Sequence, residues 1–333
     1  MRKSGMTKLE VLVAVSLVAF MLVGGCLYPY ALVRNAKMSL GCQSKLKHMG
    51  LLMRIYAYES PGEHFPPLLV RGFERTDGSM QTAFALGMDP TSVYPEFLAD
   101  HYIFLCYFDW YPAMDDDHFL AADGTSLFNE WRGPEGGGPL TANGNPCSDS
   151  RSCIHAVDFS YWYLGFVFDR MEPGDPATGL DPLHPAMAAI GGDPSINGHV
   201  PAQLVHAFEE ILVQRFLPAL EAGDFEGANS AAHSDLSAPA GQGNNNGNTV
   251  YRLRVGVARF LITDTNSPGA ELMAESIVPV MWDRVPLQRH DFSHQRPLGG
   301  NVLYFDGHTD FVPYPGPAPM HEGIAHFGAA LGR

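Results

Sequence analysis

Residues 11–33 read VLVAVSLVAFMLVGGCLYPYALV, twenty-three consecutive positions without a charge. As a helix, at about 1.5 Å per residue, they would extend roughly 34 Å, the thickness of a hydrocarbon core. Arg2, Lys3 and Lys8 precede the run, and Glu10 stands at its start. A carboxylate there is costly without a partner, which marks it as functional. Taken alone, the run suits a secretory signal peptide or a simple membrane anchor. Residues 34–59 continue without proline, and Met38, Cys42, Leu46, Met49, Met53 and Tyr56 recur at spacings of three and four. That spacing predicts one apolar helical face, with Lys37, Lys45, Lys47 and Arg54 mostly off it. Gly41 and Gly50 weaken a helix, so each marks a bend or a close approach.

The chain has 333 residues, 46% of them hydrophobic, and a net charge of −15. That is enough apolar material for a substantial core and too much for a disordered chain. Five cysteines are too few for a disulfide-dense scaffold. The acidic balance speaks against nucleic acid as a partner. The charge is unevenly placed. Residues 1–60 hold eight Lys/Arg and two acids, a net of +6; the remaining thirteen Lys/Arg and thirty-four acids give −21 over residues 61–333. Every lysine lies before position 60. A basic stem and an acidic head meet different surroundings.

The string Gly5-Met6-Thr7-Lys8-Leu9-Glu10, followed by the apolar run, resembles the type IV prepilin signal. The resemblance implies a prepilin peptidase that cuts after Gly5 and methylates the new amino terminus at Met6. It also implies an assembly role for Glu10, whose carboxylate a neighbouring subunit's amino terminus would neutralise. Pro29 sits where such helices commonly kink. Met6 replaces a usual Phe, and Lys8 stands at a normally apolar position. A second signal overlaps the first: Val23-Gly24-Gly25-Cys26 reads as a lipobox, in which Cys26 would be lipidated, although the apolar run continues past it. Further on, Cys42-Gln43-Ser44-Lys45-Leu46-Lys47-His48-Met49-Gly50, then Tyr56-Ala57-Tyr58-Glu59 and Phe65-Pro66-Pro67, are similar to bacterial prepilin-type proteins related to the major pseudopilin of type II secretion.

After Pro61 the chain is rich in Gly and Pro, with loop signals at 115–117, 136–139, 172–176 and 241–248. Pro201 to Ala222 reads as one amphipathic helix with Leu204, Phe208, Ile211, Leu212 and Phe216 on a face. Strand-like runs occur at 159–168, 250–262 and 277–282. The stretch Gly300-Asn301-Val302-Leu303-Tyr304-Phe305-Asp306-Gly307-His308-Thr309-Asp310-Phe311-Val312 places two alternating runs around Asp-Gly, a strong hairpin signal. It also resembles the same family's C-terminal signature, a His followed by Asn-Val-Leu and a terminal Asp-Gly. His294, Asp306 and Gly307 take those places. Eleven residues separate His294 from Asp306 where nine are common, so a small insertion is expected around 295–298.

His290, Asp291, His294, Asp306, His308 and Asp310 invite a metal reading, but their spacing fits no tight ligand motif. The metal, if any, is unknown from sequence; a structural calcium is the ion that acidic loops suit. Cys147 and Cys153 are a candidate disulfide in a polar loop outside the cytoplasm. Cys42 and Cys106 would pair only if the head brings them together. Nucleophile-triad, P-loop and dinucleotide signatures are absent, so no enzyme, catalytic residue or organic cofactor is expected.

The expected fold is α+β, with a long pilin-like helix, membrane half plus amphipathic half, packed on a globular head with an antiparallel sheet and a C-terminal hairpin. Residues 1–5 would be leader, 6–33 the transmembrane and assembly helix, 34–60 its amphipathic continuation, and 61–333 the head, with the signature at 290–316. The implied function is a pseudopilin subunit of the bacterial inner membrane, single-pass, its head periplasmic or extracellular. Its partners would be the prepilin peptidase, other pilin or pseudopilin subunits, the secretion or assembly machinery, and membrane lipid. The alternative is a membrane-tethered or lipidated periplasmic binding module, or a metal-dependent hydrolase.

Overall fold

A computed structural model describes residues 8–74, 80–93, 96–98, 101–109, 157–262 and 270–333. The chain divides into two units, Met1–Gly41 and Cys42–Arg333. The first unit contains the start of helix α1 (Lys8–Glu59). The expected pilin-like helix with a membrane-spanning half is not what the structure contains: among the described residues, no helix is long and apolar enough to cross a membrane.

In the second unit, the apolar stripe of α1 lies where its spacing predicts. Cys42, Leu46, Met49 and Met53 are fully buried, Tyr56 is half-buried, and Leu51, Ile55 and Tyr58 face outward. Gly50 marks a close approach rather than a bend: a Cβ there would stand 3.2 Å from Leu303 Cδ2. The Phe65-Pro66-Pro67 segment after the helix is held through its carbonyls. Phe65 O accepts from buried Arg252, Pro66 O from Tyr163 Oη, and Pro67 O from Asp89 N. Strands β1 (Leu68–Glu74) and β2 (Met80–Met88) then pair antiparallel.

The main sheet joins β3 (Tyr161–Tyr163) to three later strands. Two short ladders intervene, β4 (Ala177–Thr178) with β5 (Val200–Pro201) and β6 (Leu236–Ser237) with β7 (Thr249–Val250). The sheet then takes β8 (Pro279–Asp283), β10 (Leu298–Tyr304) and β11 (Thr309–Pro313) in the order β11-β10-β8-β3. A short strand β9 (His294–Gln295) pairs with the start of β10. All these pairs are antiparallel. Both faces are covered, so alternate residues enter two different cores. Tyr161, Tyr163, Met281 and Leu303 pack with Cys42, Leu46, Met49 and Met53 of α1. Trp162, Trp282 and Val302 pack with Phe208, Phe216, Ile324 and Phe327 of the helices on the other side.

The expected helix over 201–222 is three pieces: Ala202–Phe208, a π-helical Glu209–Phe216, and Leu217–Glu221. Pro218 has no N–H to donate, and the turn before it widens. Its predicted apolar face is nonetheless buried throughout. Of the run 159–168 only Tyr161–Tyr163 is strand, because Gly165, at φ +76°, turns the chain. Of 250–262, β7 takes the first position. Isolated bridges at Arg252 and Arg254 and a 3-10 turn, Val257–Phe260, occupy much of the rest. The C-terminal hairpin forms as expected: Gly307 N donates to Tyr304 O at 2.9 Å, and Gly307 adopts φ +92°, closed to most side chains. Between β9 and β10 the chain makes a tight turn in which Gln295 pairs with Leu298.

Candidate functional site, a buried thiol–imidazole cluster

The residues with the most unusual chemistry meet where α1 crosses the main sheet. One position past the Val302–Trp282 pair, Asn301 of β10 lies beside Asp283 of β8, which is itself paired with Tyr161 of β3. These three form a polar row across the sheet face that α1 covers. His294 reaches the row from β9, opposite Gly299. Cys42 comes from the stripe of α1, and Cys106 from the segment following the 3-10 turn His101–Phe104. Cys42, Cys106, Tyr161 and Asn301 are fully buried, Asp283 is 1% exposed and His294 is 4% exposed.

The contacts are dense. Asp283 Oδ2 accepts from Asn301 N at 2.6 Å and from Asn301 Nδ2 at 2.8 Å, and it lies 3.1 Å from His294 Nε2. His294 Nε2 is also 2.9 Å from Asn301 Nδ2 and 3.6 Å from Cys106 Sγ. Cys42 Sγ accepts from Tyr107 N at 3.2 Å. Gln43 Nε2 donates to Asn301 Oδ1 at 3.1 Å, tying the helix to the same row. Phe108 packs its ring 4.4 Å from the imidazole, centroid to centroid.

Electrostatically the cluster separates charge. A hydrogen bond from Cys106, helped by His294, lowers the Cys42 thiol to about 6 against the opposing effect of burial. Burial, and then the Cys42 sulfur, push Cys106 well above its ordinary value. Burial alone would depress His294, but its contacts with Asp283 and Cys42 raise it to about 10. The resting pattern at neutral pH is a Cys42 thiolate beside a His294 imidazolium, with Cys106 protonated. Sealed from solvent, the trio resembles a structural centre more than a catalytic dyad, which needs access for a substrate.

The histidines and aspartates of residues 290–310 do not gather into one site. His294 is separated from its supposed companions. His290 and Asp291 lie in an exposed 3-10 turn, Asp310 is exposed on β11, and Asp306 pairs with His308 at 2.6 Å in the hairpin turn. Among the described residues, the cluster with metal-ligand spacing is Cys42, Cys106 and His294. Gly5, Met6, Cys147 and Cys153 lie outside the described residues, and Glu10 lies in α1. In the sequence Asn301 stands inside the hairpin run and Asp283 one position past a strand-like run, and neither is marked there as a site residue. The available signal was that each occupies an inward position of a strand that otherwise reads as apolar.

A second feature is an open cleft of about 620 Å³ lined by Glu172, Asp175, His199, His321, Glu322 and His326, among others. Two of its histidines already have backbone duties: His321 bonds Met171 O and Gly323 N, and His326 bonds Glu322 O. Compared with protein-family models, with curated proteins and with solved structures, the chain matches none.

Proposed function

We propose that the chain is a pilin-like structural subunit, a pseudopilin. It is cut between Gly5 and Met6 by a prepilin peptidase, methylated at Met6, and assembled into a filament or pseudopilus for type II secretion or surface display. The acidic head works outside the bacterial inner membrane, where its task is mechanical rather than catalytic. One observation carries most of the weight beyond the Gly5–Glu10 string. The two sequence segments that resemble the family are more than two hundred residues apart, yet they lie against each other along β10. Gln43 bonds Asn301, Gly50 seats Leu303, and Phe65 stacks on Phe305 with centroids 5.4 Å apart. A head whose C-terminal signature clasps the N-terminal helix is what a subunit needs if it is to transmit load from helix to head.

Mass spectrometry of the mature chain from a host with a prepilin peptidase tests the first step. An N-methylated Met6 supports the reading; a lipidated Cys26 or an intact Met1 overturns it. Glu10→Ala is expected to leave cleavage largely intact and to reduce assembled filament at least several-fold, since the carboxylate's partner is the next subunit. Undiminished filament yield would count against the assembly role.

A further inference from the structure

We propose that Cys42, Cys106 and His294 bind a structural zinc ion. The inference does not depend on the pilin reading. The three donor atoms all lie within 4.8 Å of one another, and Cys106 Sγ is 3.6 Å from His294 Nε2. Ligands at zinc's usual bond lengths in a tetrahedral shell lie about 3.5 Å apart. The two cysteines are not bonded to each other. All three donors are buried, and two thiolates with one imidazole are a set that selects a thiophilic ion over calcium or magnesium.

The surroundings are arranged for a cation. Asp283 Oδ1 is buried and has no hydrogen-bond partner among the described residues. A carboxylate oxygen left in that state beside two thiols gains from positive charge nearby. Two thiolates and the Asp283 carboxylate would place three negative charges in one sealed space. A dication offsets two of them, whereas a monovalent ion such as cuprous copper offsets one. Binding displaces the two protons that the thiols and the imidazole hold between them, leaving two thiolates and a neutral ring, with Nε2 turned from its contact with Asp283 to the metal. Asp283 and Asn301 then orient the ring and its neighbours from the sheet side, as outer partners of metal sites do. The ion would join α1, the segment after the His101–Phe104 turn, and β9, three parts of the chain otherwise linked only by packing and hydrogen bonds.

The test uses the full chain, purified under reducing conditions without chelator, with zinc measured by elemental analysis and affinity by competition with a chromophoric chelator. About one zinc per chain is expected, unchanged in a Cys147→Ser/Cys153→Ser variant. Cobalt in its place should give a thiolate-to-metal charge-transfer band. Zinc should also protect Cys42 and Cys106 from alkylation, read peptide by peptide. Cys106→Ser and His294→Ala should abolish stoichiometric binding, and Asp283→Asn should weaken it by about 10- to 100-fold. Because a ligand variant can simply fail to fold, the protection measurement on the unmodified chain stands as the independent arm. A folded chain without zinc, a Cys42–Cys106 disulfide in the chain as made, zinc lost with Cys147 and Cys153, or uptake of cuprous ion but not zinc would each overturn the proposal.

Discussion

Gly328 and Gly174 differ in what surrounds them, and that difference sets two opposite expectations at the scale of single residues. A Cβ on Gly328 would run into the six-membered ring of Trp162, itself fully buried against the far face of the sheet. The indole has no free direction to move, because Trp162 stands opposite Trp282 in the β3–β8 pair. Gly328→Ala is therefore expected to cost about 1–3 kcal/mol in urea unfolding, the usual range for overpacking a filled core. Gly174 has nothing within 4 Å of the same added carbon and no positive φ, so Gly174→Ala should leave stability unchanged or slightly raised. Equal effects from the two substitutions would mean that the helix Glu322–Ala330 does not pack on Trp162 as described. The sequence marks both positions only as glycines. What separates them is a contact across more than 160 residues, which local pattern cannot carry.

The helix Glu322–Ala330 also shows how an element can depend on a protonation state. His321 is its N-cap: Nδ1 accepts from Gly323 N at 3.2 Å while Nε2 donates to Met171 O at 2.6 Å. The cap bond from Gly323 N requires an unprotonated Nδ1, whereas the bond to Met171 O is open to either form; burial, the largest effect, lowers the His321 pKa below its ordinary value. Protonation would remove the cap acceptor and place a cation at the positive end of the helix dipole. An unfolded chain's histidine titrates near 6.5, so around and below that pH the unfolded state binds the additional proton. Stability from this cap is thus present above pH 6.5 and is lost as pH falls through that window. His321→Asn keeps an uncharged cap acceptor. The pH dependence of unfolding free energy between pH 7 and 5 should therefore be shallower in the variant, by about 1 kcal/mol, the size of a typical cap. Identical slopes would rule out the cap. Elements with a strong local signature were legible in the sequence: the α1 stripe from Cys42 to Tyr56, the Asp306–Gly307 hairpin, and the buried face from Leu204 to Phe216. Elements whose form depends on a break were not. The π-helical turn before Pro218 and the early end of β3 at Gly165 need the tertiary context to choose among allowed conformations.

At the scale of the whole second unit, one sheet is shared by two cores, and this predicts how the molecule comes apart. Tyr161, Met281 and Leu303 serve the α1 side while Trp162, Trp282 and Val302, their immediate chain neighbours, serve the other. Neither side can lose its packing without freeing strands that the other side also needs, because each strand presents alternate residues to both. The site cluster belongs to the first side and the buried indoles to the second. Unfolding of the two sides should accordingly be a single event. In a urea series with chelator present, on a Trp110→Phe/Trp131→Phe variant, alkylation of Cys42 and Cys106, resolved by peptide mass, follows the α1 side, and the emission of Trp162 and Trp282 reports the other. The two midpoints are expected to coincide. If the cysteines become reactive at distinctly lower urea than the emission change, α1 detaches while the sheet and its far layer persist. The clasp between the N-terminal helix and the C-terminal signature would then be too weak to carry load between them. Coincident midpoints would instead make residues 42–67 and 294–307 parts of one cooperative body, built from sequence segments that only the fold brings together.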